Sequence, residues 1–255
     1  MSFGLKRGRP LDTAPGVVMV SEQECGRLPD EIISNPLAGR LDPRTWFPLR
    51  AQSPDRRFEI EIGSGKGTFL IQQAPKTPGT DYLGIEWAAE FCAYAADRIR
   101  RAGLPNVRLI RTDATELLRW RCPDSIVDVI HLYFSDPWPK AKHHKKRVIQ
   151  DRFLADAWRV LVPGGELRIV TDHDDLWRWD REHFDRWCST GPCPGHAGPI
   201  PAFVETSFQT PDSADENELV GTNFERKFRK EGRGFHATVL RKLTDPPNPP
   251  HHTGD

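Results

Sequence analysis

The chain has 255 residues and balances 36 Lys and Arg against 36 Asp and Glu, so a net charge of zero points to no partner. No run approaches the ~18 apolar residues of a membrane span, and the amino terminus lacks the apolar stretch of a secretory leader, which leaves a cytoplasmic protein as the expectation. Five cysteines without a CxxC pair fit reduced thiols, and the length suits one α/β domain with a substantial core.

Residues 1–45 carry the KRGR run (Lys6 to Arg9), scattered Gly and Pro, and no hydrophobic periodicity. They predict an irregular basic arm, with residues 1–30 disordered or loosely docked. From 46 to 244, strand and helix patterns alternate, which is the signature of a parallel sheet. Strands are expected over 57–62, 81–85, 107–111, 127–134, 166–171 and 234–243. Helices are expected over 67–74, 88–102, 114–120, 146–160 and 174–187. Residues 188–221 read as irregular, and the proline-rich tail 245–255 as disordered. Cys188, Cys193 and His196 lie close in sequence, but a fourth zinc ligand is missing, so no metal is expected.

The first strand runs Glu59-Ile60-Glu61-Ile62 into Gly63-Ser64-Gly65-Lys66-Gly67 and then a helix. Gly63 and Gly65 permit positive φ and let backbone approach a ligand. The next strand ends in Gly84-Ile85-Glu86, an acid placed to hold ribose hydroxyls. The third ends near Asp113, which could accept from an adenine amino group. Carboxylates after three successive strands would repel a pyrophosphate and attract a sulfonium or amine, so S-adenosylmethionine fits better than a dinucleotide. The plainer alternative is that these acids cap the helices that follow.

The fourth strand stops at Ser135-Asp136-Pro137-Trp138-Pro139-Lys140 and opens into the cationic run 140–147. Cations in the first turn of a 146–160 helix would oppose its macrodipole, and an anionic phosphate would relieve that conflict. Asp136 could act as a general base, read the Watson–Crick edge of a guanine, or cap its turn. Trp138 could pack in the core or stack on a base. Asp172 follows the fifth strand on the same rim, whereas Asp174 and Asp175 suit helix caps. Thr222-Asn223-Phe224-Glu225 begins a short capped helix with a basic face that continues to Arg233.

Taken together, EIGSGKG (61–67), YLGIE (82–86), DATELL (113–118), FSDPWPKAKHHKKR (134–147), LVPGGELRIVTD (161–172) and TNFERKF (222–228) resemble the tRNA (guanine(46)-N(7))-methyltransferase family, bacterial single-subunit type. The resemblance covers about 58–242. It implies a class I, Rossmann-like methyltransferase fold: a seven-stranded, mostly parallel sheet, helices on both faces and the last strand antiparallel. It implies that Glu61, Gly63, Gly65, Glu86, Asp113 and Asp136 line an S-adenosylmethionine site, with Asp136 also the catalytic position. Lys140, Asp172, Thr222, Asn223, Phe224 and Glu225 would contact tRNA, methylated at N7 of guanine 46. The resemblance calls for no metal and no obligatory protein partner, as a monomer or homodimer.

Overall fold

The computed structural model describes residue 11 and residues 18–198 and 200–243; the KRGR run and the 245–255 tail lie outside them. Seven strands, β1 (Arg57–Ile62), β2 (Thr80–Ile85), β3 (Val107–Ile110), β4 (Val127–Tyr133), β5 (Leu161–Thr171), β6 (Phe203–Thr206) and β7 (His236–Lys242), form one sheet. Their order is β3-β2-β1-β4-β5-β7-β6, and β7 alone runs against the others, pairing antiparallel with β5 and β6. The helices are α1 (Glu22–Cys25), α2 (Thr68–Gln73), α3 (Ala89–Ala102), α4 (Ala114–Glu116), α5 (Asp151–Val160), α6 (Asp174–Trp187) and α7 (Asn223–Lys230).

The alternation in β1 sorts the two faces. Phe58, Ile60 and Ile62 join a core with Phe153, Leu154, Phe184 and Trp187 from α5 and α6. Glu59 and Glu61 point the other way, toward the side where Phe69 and Leu70 of α2 pack with Tyr82, Tyr133, Cys92 and Ile99. On α3, small buried residues at 92, 95 and 96 let the helix sit close. A Cβ on Gly67 would stand 3.1 Å from Ala95 Cβ, and Gly67 also has φ +66°, so two requirements converge on glycine there.

β5 starts at Leu161 and not 166, α4 ends at Glu116 and not 120, and three further differences from the sequence expectations matter more. β6, inside the stretch read as irregular, is a four-residue edge strand paired with β7. α5 starts at Asp151, not 146, and residues 141–146 form a 3-10 turn instead. The cationic run is therefore not the first turn of a helix, and the macrodipole argument for a phosphate there falls away. Finally, the described part of the arm docks on the sheet edge. Leu109 N–H donates to Val18 O and Val20 N–H to Leu109 O, both at 2.8 Å. The buried Arg108 guanidinium donates to Trp46 O and Glu24, tying this segment to β3. An otherwise open strand edge is thus covered.

Candidate active site

Parallel pairing aligns Ile62 with Ile85 and Leu132, Ile85 with Ile110, and Leu132 with Ile169. The carboxyl ends of β1 to β5 therefore share one rim, which in open α/β sheets is where ligands bind. Glu61, Glu86, Asp113, Asp136 and Asp172 all lie at or just beyond those ends.

Glu61 is 4% exposed, and its Oε2 is buried without a hydrogen-bond partner. Burial, with a smaller contribution from the Glu86 charge, pushes its pKa up to about 8. Ser64 Oγ in the glycine turn is likewise buried and unpartnered. An orphaned carboxylate oxygen beside a glycine turn is a site waiting for a donor, and a cationic donor serves best. The turn is shaped for it: Gly63 and Gly65 have φ +74° and +52°, and Gly63 N–H donates to Ile85 O.

Glu86 is engaged in the turn itself, accepting from Gly65 N–H at 2.8 Å and from Ala88 N–H at 2.7 Å. Asp113 takes the capping role: its Oδ1 accepts from Thr115 N–H at 2.8 Å and Thr115 Oγ at 2.6 Å at the start of α4. Its side chain is nonetheless exposed on the rim. Beneath these acids lies a buried polar line absent from the sequence reading. His131 Nε2 meets Glu59 Oε2 at 2.8 Å, and His131 Nδ1 meets Tyr133 Oη at 2.7 Å. Burial lowers the His131 pKa, and burial also raises that of Tyr133, so both stay neutral. Nothing in an apolar-looking strand pattern distinguishes such a histidine.

After β4 the chain turns sharply, with Phe134 at φ +55° and Trp138 at φ +41°. Two non-glycine residues in the left-handed region within five positions mark a strained segment. Asp136 and Lys140 are exposed, and neither side chain has an ion pair or hydrogen bond among the described residues. Trp138 is outside the core: Lys146 Nζ lies 4.6 Å from its ring centroid and His143 packs edge-on at 5.8 Å. Lys142, Lys145 and Lys146 are exposed, but Arg147 is buried.

α7 packs against this turn through Phe134. Thr222 caps it by accepting from Glu225 N–H, and Asn223 Nδ2 donates to Thr68 Oγ1 at 3.0 Å, directly behind the glycine turn. Phe224, 40% exposed, stacks near-parallel on Phe134 at 6.4 Å, and Phe228 and Phe235 close around the same ring. Glu225 has no exposed surface. Its carboxylate accepts from the backbone N–H groups of 219, 220 and 221 and from Arg229, so it shapes the segment and offers nothing to an outside ligand. Asp172 accepts from Arg233 Nη1 at 2.6 Å.

Cys188, Cys193 and His196 form no ligand set; His196 packs between Trp158 and Trp187 at 4.5 and 5.2 Å. Among the described residues no three His, Cys, Asp or Glu gather to hold a metal, and no helix is long and apolar enough to cross a membrane.

A family model described as putative methyltransferase matches residues 55–238, which takes in β1 to β6, the glycine turn, α7 and the start of β7. The chain belongs to that family. Two curated relatives in this comparison come from Streptococcus pyogenes, serotype M5 (strain Manfredo) and serotype M49 (strain NZ131). Both are named tRNA (guanine-N(7)-)-methyltransferase and are 38% identical over 136 residues, 53% of this chain. The match spans 64% of each relative's length. A solved structure titled as the aminoglycoside resistance methyltransferase NpmB1 superposes with a TM-score of 0.52 at 18% identity, covering 80% of this chain and 95% of that one. This likeness shows the fold, and the sheet order and the single reversed strand agree with a methyltransferase architecture.

Proposed function

We propose that the protein transfers a methyl group from S-adenosylmethionine to N7 of a guanine in tRNA, at position 46 of the variable loop. The observation that carries this reading is the pairing of two features on one rim. One is an orphaned buried carboxyl, Glu61, beside a glycine turn; the other is an uncommitted Asp136 and Lys140 on the neighbouring strand end. The names of the streptococcal relatives support the choice of guanine N7.

The donor supplies an electrophilic methyl on a sulfonium. Glu61 suits the ammonium of its amino-acid end, because a buried carboxylate lacking a donor gains most from a cation. Gly63 and Gly65 give it backbone clearance. Glu86 and Asp113 are assigned to ribose hydroxyls and an adenine amino group, each exchanging or sharing its present donors.

Guanine N7 already presents an in-plane lone pair, so the acceptor needs no deprotonation. What remains is alignment and desolvation, and orienting two bound reactants is worth roughly 7–11 kcal/mol of barrier. We assign Asp136 to accept from the guanine Watson–Crick edge and balance the positive charge that grows on the base. Lys140 meets a backbone phosphate, and Phe224 offers an aromatic face to an unstacked base. Thr222 and Asn223 hold that face against the glycine turn. Asp172 becomes available to tRNA once Arg233 turns to a phosphate.

Incubation with tRNA and methyl-labelled S-adenosylmethionine tests this reading. The expected result is label in tRNA and chain scission at N7-methylguanosine after reduction and aniline treatment; label without scission would move the reaction to another atom.

A further inference from the structure

Resting on that reading of Asp136, we propose that Arg147 is a positioning residue for the 136–140 turn and not one of the cations that meet RNA. It closes the run of Lys and His that follows Lys140, yet it is 2% exposed while Lys142, Lys145 and Lys146 stand in solvent. Its Nε donates to Pro137 O at 2.9 Å, one residue from Asp136. Its Nη2 donates to Asp175 in the first turn of α6, and its guanidinium lies 5.4 Å from the Trp179 ring on the same helix. Gln150 secures the other side by donating to Arg147 O at 2.7 Å.

Arg147 therefore links the carbonyl next to Asp136 to a rigid helix that packs on β5 and β7. The turn needs such a link. Phe134 and Trp138 hold positive φ, and a segment of that kind persists only where its surroundings over-determine it. The planar fork of arginine can serve a carbonyl on one edge and a carboxylate on another, which a lysine cannot do. His144, whose ring meets Trp179 edge-on at 5.6 Å, adds a second contact between the 3-10 turn and the same helix face.

The test compares wild type, Arg147→Met, Arg147→Lys and Asp175→Asn, with Lys145→Ala as the surface comparison. Amide hydrogen exchange over 137–147 reads the positioning role independently of any activity. It is expected to speed up at least tenfold in Arg147→Met, including the amides at positions 143 and 147, which in the wild type donate to Lys140 O and His144 O. Methyl transfer to tRNA is expected to lose about 100-fold in kcat, the scale of a small misplacement of a reacting group. KM for tRNA and the slope of log affinity against log salt stay at wild-type values, and Arg147→Lys falls between. Lys145→Ala is expected to flatten that slope by ~0.9 instead.

A flattened slope in Arg147→Met with unchanged exchange would make Arg147 a phosphate contact and overturn the proposal; so would unchanged exchange and kcat. If Arg147→Met does not fold, Asp175→Asn decides: wild-type exchange and kcat there would overturn it. If the wild-type protein fails to methylate tRNA, the functional reading falls, and the exchange data still settle what Arg147 does to the turn.

Discussion

Asp136 and Glu61 face opposite demands, and each makes its own prediction. On the proposed reading N7 loses no proton, and Asp136 is assigned its part for its charge and its acceptor geometry. Asp136→Asn is expected to reduce kcat by about 100-fold, within the range for removing one aligned electrostatic group. The shape of the pH–rate profile should stay the same. A general-base role would show as the loss of one ionisation between pH 5 and 8 in that variant. For Glu61 the sign follows from burial. Its pKa of about 8 keeps it mostly protonated at neutral pH in the free protein. An ammonium held by Glu61, as proposed, would favour the charged form, so binding of S-adenosylmethionine is expected to release a proton. Affinity should therefore rise with pH through 6 to 8, by at most about tenfold per unit, and level off above. Calorimetry in two buffers of different ionisation enthalpy reads the proton directly: close to one released by wild type and none by Glu61→Gln. The same burial means the free protein gains stability from Glu61 staying neutral and loses it as pH rises through 4.5 to 8.

At the scale of elements, the glycine turn and α7 work as one piece. Gly67 caps α2 at φ +66° with α3 pressed against it, so Gly67→Ala should destabilise by about 1–2 kcal/mol from backbone strain alone. Thermal melting should show it as a drop of several degrees, and a melt unchanged within a degree would mean that α3 yields freely. These elements also show what the sequence made legible. β1 reads to the residue because apolar and acidic positions alternate, and that alternation sends Glu59 and Glu61 to one face. β6 escapes because it is four residues long, on the edge, with Val204 and Glu205 exposed. The start of α5 is not legible because residues 146–150 carry no apolar period to separate a 3-10 turn from a helix. Rim acids could be read from their positions after strands, but their partners could not. That Glu225 is sealed inside its own loop depends on how the loop four to six residues before it folds back, and that Asp172 is held by Arg233 depends on a contact across 61 residues of chain. Arg147 looked like its neighbours in sequence, and only burial separates it from them.

Across the described residues, a chain of zero net charge sets three exposed lysines, whose side chains make no ion pair or hydrogen bond, beside the turn after β4. These are Lys140, Lys142 and Lys145, whereas Arg50, Arg56, Arg108 and Arg159 are spent on carboxylates and carbonyls of the scaffold. On the proposed reading the acids of the rim serve a cationic donor and these lysines a polyanion, an arrangement that zero net charge conceals. The measurement that tests the central claim most directly uses a tRNA carrying 7-deazaguanine at position 46, where C–H replaces N7. Methyl incorporation is expected with guanine at that position and to vanish with the deaza base, while tRNA affinity stays within a few-fold. Undiminished incorporation into the deaza tRNA would contradict transfer to that nitrogen.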